Sequence, residues 1–162
     1  MNYPIIITIV GGNDPSDQEL LWAERVGRGL AERGVVVVTG GQGGVMEAAS
    51  KGAFEAGGLT VGILPGSSLQ DANPYVTIPV LTGMSYARNI IVVKTGRVVI
   101  AVGGAFGTLS EIAHALGDGI PTIGLGTWEL LREGIDEDSI VRVNNPEEAV
   151  EKAIEIAQNS RS

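Results

Sequence analysis

Two short stretches of this chain combine residue types suited to holding an anion. Val38-Thr39-Gly40-Gly41-Gln42-Gly43-Gly44 runs from a β-branched segment into an Ala-rich one. Val102-Gly103-Gly104-Ala105-Phe106-Gly107-Thr108 repeats that order later in the chain. Each copy is an apolar run, then G-G-x-x-G, then a helical pattern. A glycine turn between a strand and a helix lets backbone N–H groups converge on an anion, with the positive end of the helix dipole behind them. Glu111 follows in the first turn of the second helix. A carboxylate there can stabilise an oxocarbenium-like centre or activate water during glycosidic hydrolysis. Arg88, ahead of the second copy, offers a planar fork of donors for phosphate or a carboxylate.

Each residue also has a plainer reading. The glycines can serve only to let helices pack closely on strands. Neither copy is G-x-G-x-x-G, nor the G-x-x-x-x-G-K-[ST] of a P-loop. Glu111 fits a capping box with Thr108, through the S/T-x-x-E pattern. Arg88 alone would read as a solvated helix residue, and Asn89 as polar surface or a partner for a ribose hydroxyl. Met84, Ser85 and Tyr86 are candidates for a pocket wall, with packing as the competing role for Tyr86. His114 lies one helical turn after Glu111, on the same face. A lone helical histidine is more often structural, and that reading is preferred over general acid catalysis. Glu47 reads first as a first-turn helix carboxylate, and second as a partner for an amino group of a base or pterin. Gly11 and Gly12 end the first strand, and Asn13-Asp14 cap the next helix or touch a ligand. Two glycine turns together favour the phosphate site.

These residues must be positioned by alternating strands and helices. Ile5 to Val10 is a continuous apolar run, as in a strand buried on both faces. Ser16 or Asp14 caps a helix to about Arg33, with Leu20, Leu21, Ala23, Val26, Gly27 and Leu30 facing inward. Strands follow at Val35–Val38 and Leu59–Leu64, around a helix over 45–56. Pro65 to Asn73 reads as loop, and Val76 to Val80 as a short strand. A helix over 85–95 leads to the strand Val98–Val102, and the second glycine turn opens a helix over 108–116. Thr122 to Leu125 is a further strand. A short piece around Trp128 to Arg132 precedes Ile140–Val143. The last helix starts at Asn145-Pro146-Glu147-Glu148, with Pro just inside and carboxylates in its first turn. The pattern predicts an α/β, Rossmann-like, doubly wound parallel sheet in three α/β/α layers, as one domain over 1–162. Ligands in such folds sit beyond the carboxyl ends of the strands, where both glycine turns lie.

Bulk properties narrow the partners. The chain has 162 residues and a formal net charge of −8. It is 44% hydrophobic with a mean hydropathy of +0.22, enough for a substantial core. An acidic surface argues against nucleic acid but leaves room for one small phosphate held by backbone groups. With no Cys, thiol chemistry and disulfides are excluded. One His and scattered carboxylates predict no metal site, and Asp136-Glu137-Asp138 reads as a solvated turn. Met1-Asn2-Tyr3-Pro4 lacks a basic signal-peptide start, and no apolar run is long enough to span a bilayer. The expected setting is cytoplasmic, without membrane association.

The segment from Gly40 to Leu64 carries Gly44-Val45-Met46 and then Ala56-Gly57-Gly58-Leu59-Thr60-Val61-Gly62-Ile63-Leu64-Pro65. It resembles the LONELY GUY family, long labelled lysine decarboxylases. Gly103 to Glu111 is similar to that family's P-G-G-x-G-T-x-x-E signature, and the likeness extends from the first strand to about Leu125. Arg88 stands at the spacing of the family's catalytic arginine. The resemblance implies a Rossmann-like fold, a homodimer or homotetramer, and cleavage of nucleoside 5′-monophosphates to base and ribose 5-phosphate without a required cofactor. It implies catalytic roles for Arg88 and Glu111. Departures accompany it. Gly103 replaces the signature Pro, Ala105 a Gly, Glu47 a Gly and Asn89 a Lys. These resemble a bacterial side branch close to molybdenum-cofactor carrier proteins, to which binding of a phosphorylated pterin is attributed. The leading expectation is a phosphoribohydrolase. The alternatives are a non-enzymatic carrier or sensor of a phosphorylated cofactor, and a structural oligomer with a vestigial site. Lysine decarboxylation is not expected, because Lys51 and Lys94 read as helix-face residues.

Overall fold

Ile6–Gly11 forms β1, whose apolar run is required by its place in the middle of a seven-stranded sheet. The computed structural model describes residues 3–134 and 139–159. Strands β2 (Val36–Thr39), β3 (Thr60–Leu64), β4 (Ile78–Leu81), β5 (Val98–Val102), β6 (Thr122–Leu125) and β7 (Val141–Val143) complete the sheet. The order is β4-β3-β2-β1-β5-β6-β7, and every pairing is parallel. The chain builds outward from β1 to β4, then returns to add β5 on the other side of β1. That reversal opens a crevice beyond the carboxyl ends of β1 and β5.

Helices α1 (Asp17–Ala31), α2 (Val45–Glu55), α3 (Arg88–Thr95), α4 (Phe106–Gly117) and α5 (Pro146–Asn159) cover both faces. Alternate strand residues feed two cores. Ile7, Ile9 and Ile100 join Val26, Leu30, Ala49 and Val150 from α1, α2 and α5. Val10, Val99 and Ala101 join Val92, Val93, Ile112 and Ala115 from α3 and α4. Each fully buried aliphatic side chain contributes roughly 1.5–3 kcal/mol. Thr8 sits at 0% exposure among them because its hydroxyl donates to the Val92 carbonyl at 2.9 Å.

Several local expectations are met. Ser16 caps α1, in a capping box with Glu19. Asn145 accepts from the Glu148 N–H at the start of α5. Others are corrected. Leu20 and Leu21 are 36% and 52% exposed, since α1 turns that side outward and buries Ala23, Val26, Gly27 and Leu30. The helix expected over 85–95 is a 3-10 turn at Ser85–Ala87 followed by α3. Helix α4 starts at Phe106 rather than Thr108. Trp128 to Arg132 holds no helix or strand beyond an isolated bridge at Arg132. The acidic run 136–138 lies outside the described residues. No helix among the described residues is long and apolar enough to cross a membrane.

Candidate functional site

A cavity of about 630 Å³ lies over the carboxyl ends of β5, β1, β2 and β3, within the range of small-molecule sites. Gly11 and Gly12 reach it from β1, Gln42 from the turn after β2, and Pro65 from the end of β3. Ala105, Gly107 and Thr108 reach it from the second glycine turn, Arg88 and Asn89 from the start of α3, and Glu111 from α4.

The two glycine turns differ in what they face. At the second, Gly103 (φ 52°) and Gly104 (φ 111°) bend the chain sharply, and helix α4 starts two residues later. A Cβ on Gly104 would overlap the Thr108 side chain. Because α4 starts at Phe106, Thr108 lies inside the first helical turn and cannot cap it, so the competing capping-box reading of Glu111 does not hold. The N-cap is Ala105, which supplies no side-chain acceptor. The first N–H groups of α4 have no partner within the helix. Beside them, the Thr108 hydroxyl is buried without a hydrogen-bond partner.

The first turn is packed shut. Val45 N–H donates to the Gly12 carbonyl at 3.0 Å, docking α2 onto the loop after β1. Gly44 has φ 64°, and a Cβ there would strike the Gly12 carbonyl and come within 2.7 Å of Asn13 Cα. Asn73 closes the turn from the other side, donating from its backbone to Gly41 O at 2.8 Å and from Nδ2 to Gln42 O at 2.9 Å. Of this turn only Gln42 lines the cavity; Gly40, Gly41, Gly43 and Gly44 do not. The close-packing reading describes Gly41 and Gly44, whereas a Cβ on Gly43 would meet nothing nearer than 4.0 Å. Gly40 instead makes room, since a Cβ would sit 2.6 Å from Met46 Sδ and 2.8 Å from Arg88 Nη2.

Arg88 is 6% exposed and held on four oxygens. Nη1 donates to Asn89 Oδ1 at 2.7 Å and lies 3.6 Å from Glu111 Oε1. Nη2 donates to Gln42 Oε1 at 3.3 Å and to Gly40 O at 3.5 Å. Nε is buried without a partner. Burial pushes the guanidinium below its usual range, and Glu111 opposes that shift. Glu111 is also 6% exposed. Burial pushes its carboxyl up to about 7, against the opposing charge of Arg88. Asn89 Nδ2 donates to Ser110 Oγ at 3.2 Å, tying α3 to α4. The arrangement offers an unsatisfied donor set around a carboxyl close to its titration point at neutral pH.

The remaining sequence candidates divide between the cavity wall and positions away from it. Met84 is outside the wall and 46% exposed, whereas Ser85 and Tyr86 are on it. Phe106 is 78% exposed and packs on Trp128, ring centroids 5.5 Å apart. Gly103 and Gly104 shape the turn without lining the cavity, and His114 and Glu47 stand off the wall. Asn13 and Asp14 are on it. Sequence reasoning missed Met46, Pro65 and the clamp by Asn73. No local pattern marks them, because each acts through residues distant in the chain. Among the described residues no group of three or more His, Asp or Glu could hold a metal ion.

Comparison with known proteins adds relatives to this geometry. Residues 4–150 match the model of the SLOG cluster4 family. An uncharacterized protein of Archaeoglobus fulgidus is 44% identical over 113 residues, covering 70% of this chain and 74% of that one. Among solved structures, the molybdenum cofactor binding protein of Rippkaea orientalis is similar, with 38% identity and a TM-score of 0.87, over 96% of this chain and 98% of that one. The molybdenum cofactor carrier protein MCP of Chlamydomonas reinhardtii is 31% identical with a TM-score of 0.86, over 96% and 99%.

Proposed function

This chain belongs to the SLOG cluster4 family, and from that premise we propose that it binds a phosphorylated pterin or nucleotide and serves as its carrier. The observation that carries this reading is the uncapped start of α4 with the buried, unpartnered Thr108 Oγ1 in its first turn, in a cavity whose wall also carries Arg88 with its Nε unpartnered. Buried polar groups are ordinarily hydrogen-bonded, and leaving one unpaired costs about 1–3 kcal/mol. Phosphate oxygens are natural acceptors for the helix-start N–H groups and the Thr108 hydroxyl, and the helix dipole favours their charge. The orphan donors therefore fit a phosphate-bearing cofactor, with Gly107 and Thr108 at its anionic end. Likeness along nearly the whole chain to proteins that bind or carry molybdenum cofactor supports a pterin.

Calorimetry with AMP and with a pterin phosphate tests the reading. The Thr108→Val variant keeps the shape and removes the hydroxyl, so affinity should fall roughly 10-fold or more. Unchanged affinity in that variant, or no binding of either compound by the wild type, overturns it.

A second reading, phosphoribohydrolysis, is favoured by one observation: the Glu111 carboxyl lies in the cavity with its pKa raised to about 7. Incubation with AMP, GMP, CMP and UMP should then release free base, and Glu111→Gln should abolish it. Binding without release leaves the carrier. A homodimer or homotetramer is proposed with either reading, because edge strand β4 exposes Ile78, Val80 and Leu81. Sedimentation should give a multiple of 16.8 kDa.

A further inference from the structure

The phosphate end accounts for only part of the cavity. Away from the α4 start, the wall is formed by Pro65 after β3 and by Tyr86, with Met46 on the floor near Arg88. Met46 is buried, whereas the Tyr86 side chain stands at the mouth with 86% exposure. That placement is held from below. Ser85 N–H donates to the Pro65 carbonyl at 2.9 Å. Ser85 is also the one non-glycine among the described residues with positive φ, 51°. Such strain persists only where the surroundings impose it, and it concentrates at ligand sites. Here it bends the chain immediately before Tyr86.

We propose that Tyr86 recognises the ring of the ligand. A planar heterocycle stacks on Tyr86 against Met46 and Pro65, while the phosphate occupies the start of α4. This rests on the phosphate site proposed above and adds the shape of the ligand. Pro65 follows β3 and Ala105 follows β5, three strands apart in the order β3-β2-β1-β5. Three inter-strand spacings are roughly 14 Å. Inorganic phosphate or ribose 5-phosphate fills only the α4 end of such a span. A ring system joined to a phosphate through a sugar or short linker reaches both ends. Tyr86 presents an aromatic face tolerant of different bases, and the polarizable Met46 sulfur adapts to ring shape.

The test is calorimetry on wild type, Tyr86→Ala and Tyr86→Phe with AMP and with ribose 5-phosphate, which differ by the ring. The exposed side chain can be removed without opening the core. Tyr86→Ala should weaken AMP roughly 5- to 100-fold and leave ribose 5-phosphate unchanged, and Tyr86→Phe should retain AMP. If Tyr86→Ala leaves AMP unchanged, or weakens both compounds equally, the ring site is refuted. Loss of AMP binding in Thr108→Val with no effect of Tyr86→Ala refutes the ring site and keeps the phosphate site. Failure of the wild type to bind AMP refutes the base-tolerant ring site, and failure to bind a pterin phosphate as well refutes the phosphate site with it.

Discussion

Glu111 enters the cavity with the Arg88 cation beside it, and that cation is already shared among three other oxygens. Burial therefore wins, and the carboxyl titrates near 7 instead of at its ordinary 4.5. The consequence for stability has a definite sign. Between about pH 4.5 and about 7 the unfolded chain has lost this proton and the folded protein still holds it. The contribution of Glu111 to stability thus falls as pH rises through that window and is level above it. Urea denaturation of wild type and Glu111→Gln at several pH values isolates the effect. The wild type should show the extra slope, and parallel curves would contradict the raised pKa. Ligand binding responds in the same direction. Above pH 7 a phosphate monoester is already dianionic, so ionisation of Glu111 adds repulsion. Affinity for AMP should fall from pH 7 to pH 8.5 in the wild type and stay flat in Glu111→Gln.

Helices α2 and α4 begin with the same local grammar and end up with different tasks. The start of α2 is docked on the β1–α1 loop through Val45 and Gly44, whereas the start of α4 opens into the cavity. Gly44 is consequently a packing residue with two separate demands, positive φ and no Cβ. Gly57 has positive φ (76°) but nothing within 4 Å of an added Cβ. Gly57→Ala should lose only the conformational term, about 1 kcal/mol. Gly44→Ala should lose that and the overlap with Gly12 and Asn13, at least about 2 kcal/mol together. Chemical denaturation of the two variants decides it, and equal losses would refute the docking role given to Gly44.

At the scale of the molecule, a net charge of −8 surrounds a site suited to an anion. The attraction is short-ranged, made by helix-start N–H groups and buried donors, while the field of the whole surface opposes it. Salt screens the long-range part over roughly 8–10 Å and leaves the contacts intact. Affinity for AMP should therefore be flat or rise slightly from 50 to 200 mM NaCl. A steep fall would mean that long-range attraction to charged groups, rather than these contacts, holds the ligand.

Much of this protein was legible in its residues. Continuous Val and Ile runs marked central parallel strands, because only a strand covered on both faces tolerates them. Ser16 or Asp14 ahead of α1, and Asn145 ahead of Pro146, marked helix starts, and Ser16 and Asn145 make those bonds within one turn. Arg88, Thr108 and Glu111 were legible as candidates, since their types limit what they can do. Their meeting around one cavity required the return of the chain to place β5 beside β1. The residues did not reveal which glycine turn stays open, that Leu20 and Leu21 face solvent, or that Met46, Pro65 and Tyr86 share a wall. Dihedral preferences and capping act over a few neighbouring residues, so sequence alone determines them. Which surface remains uncovered depends on contacts between segments far apart in the chain, and only tertiary packing decides that.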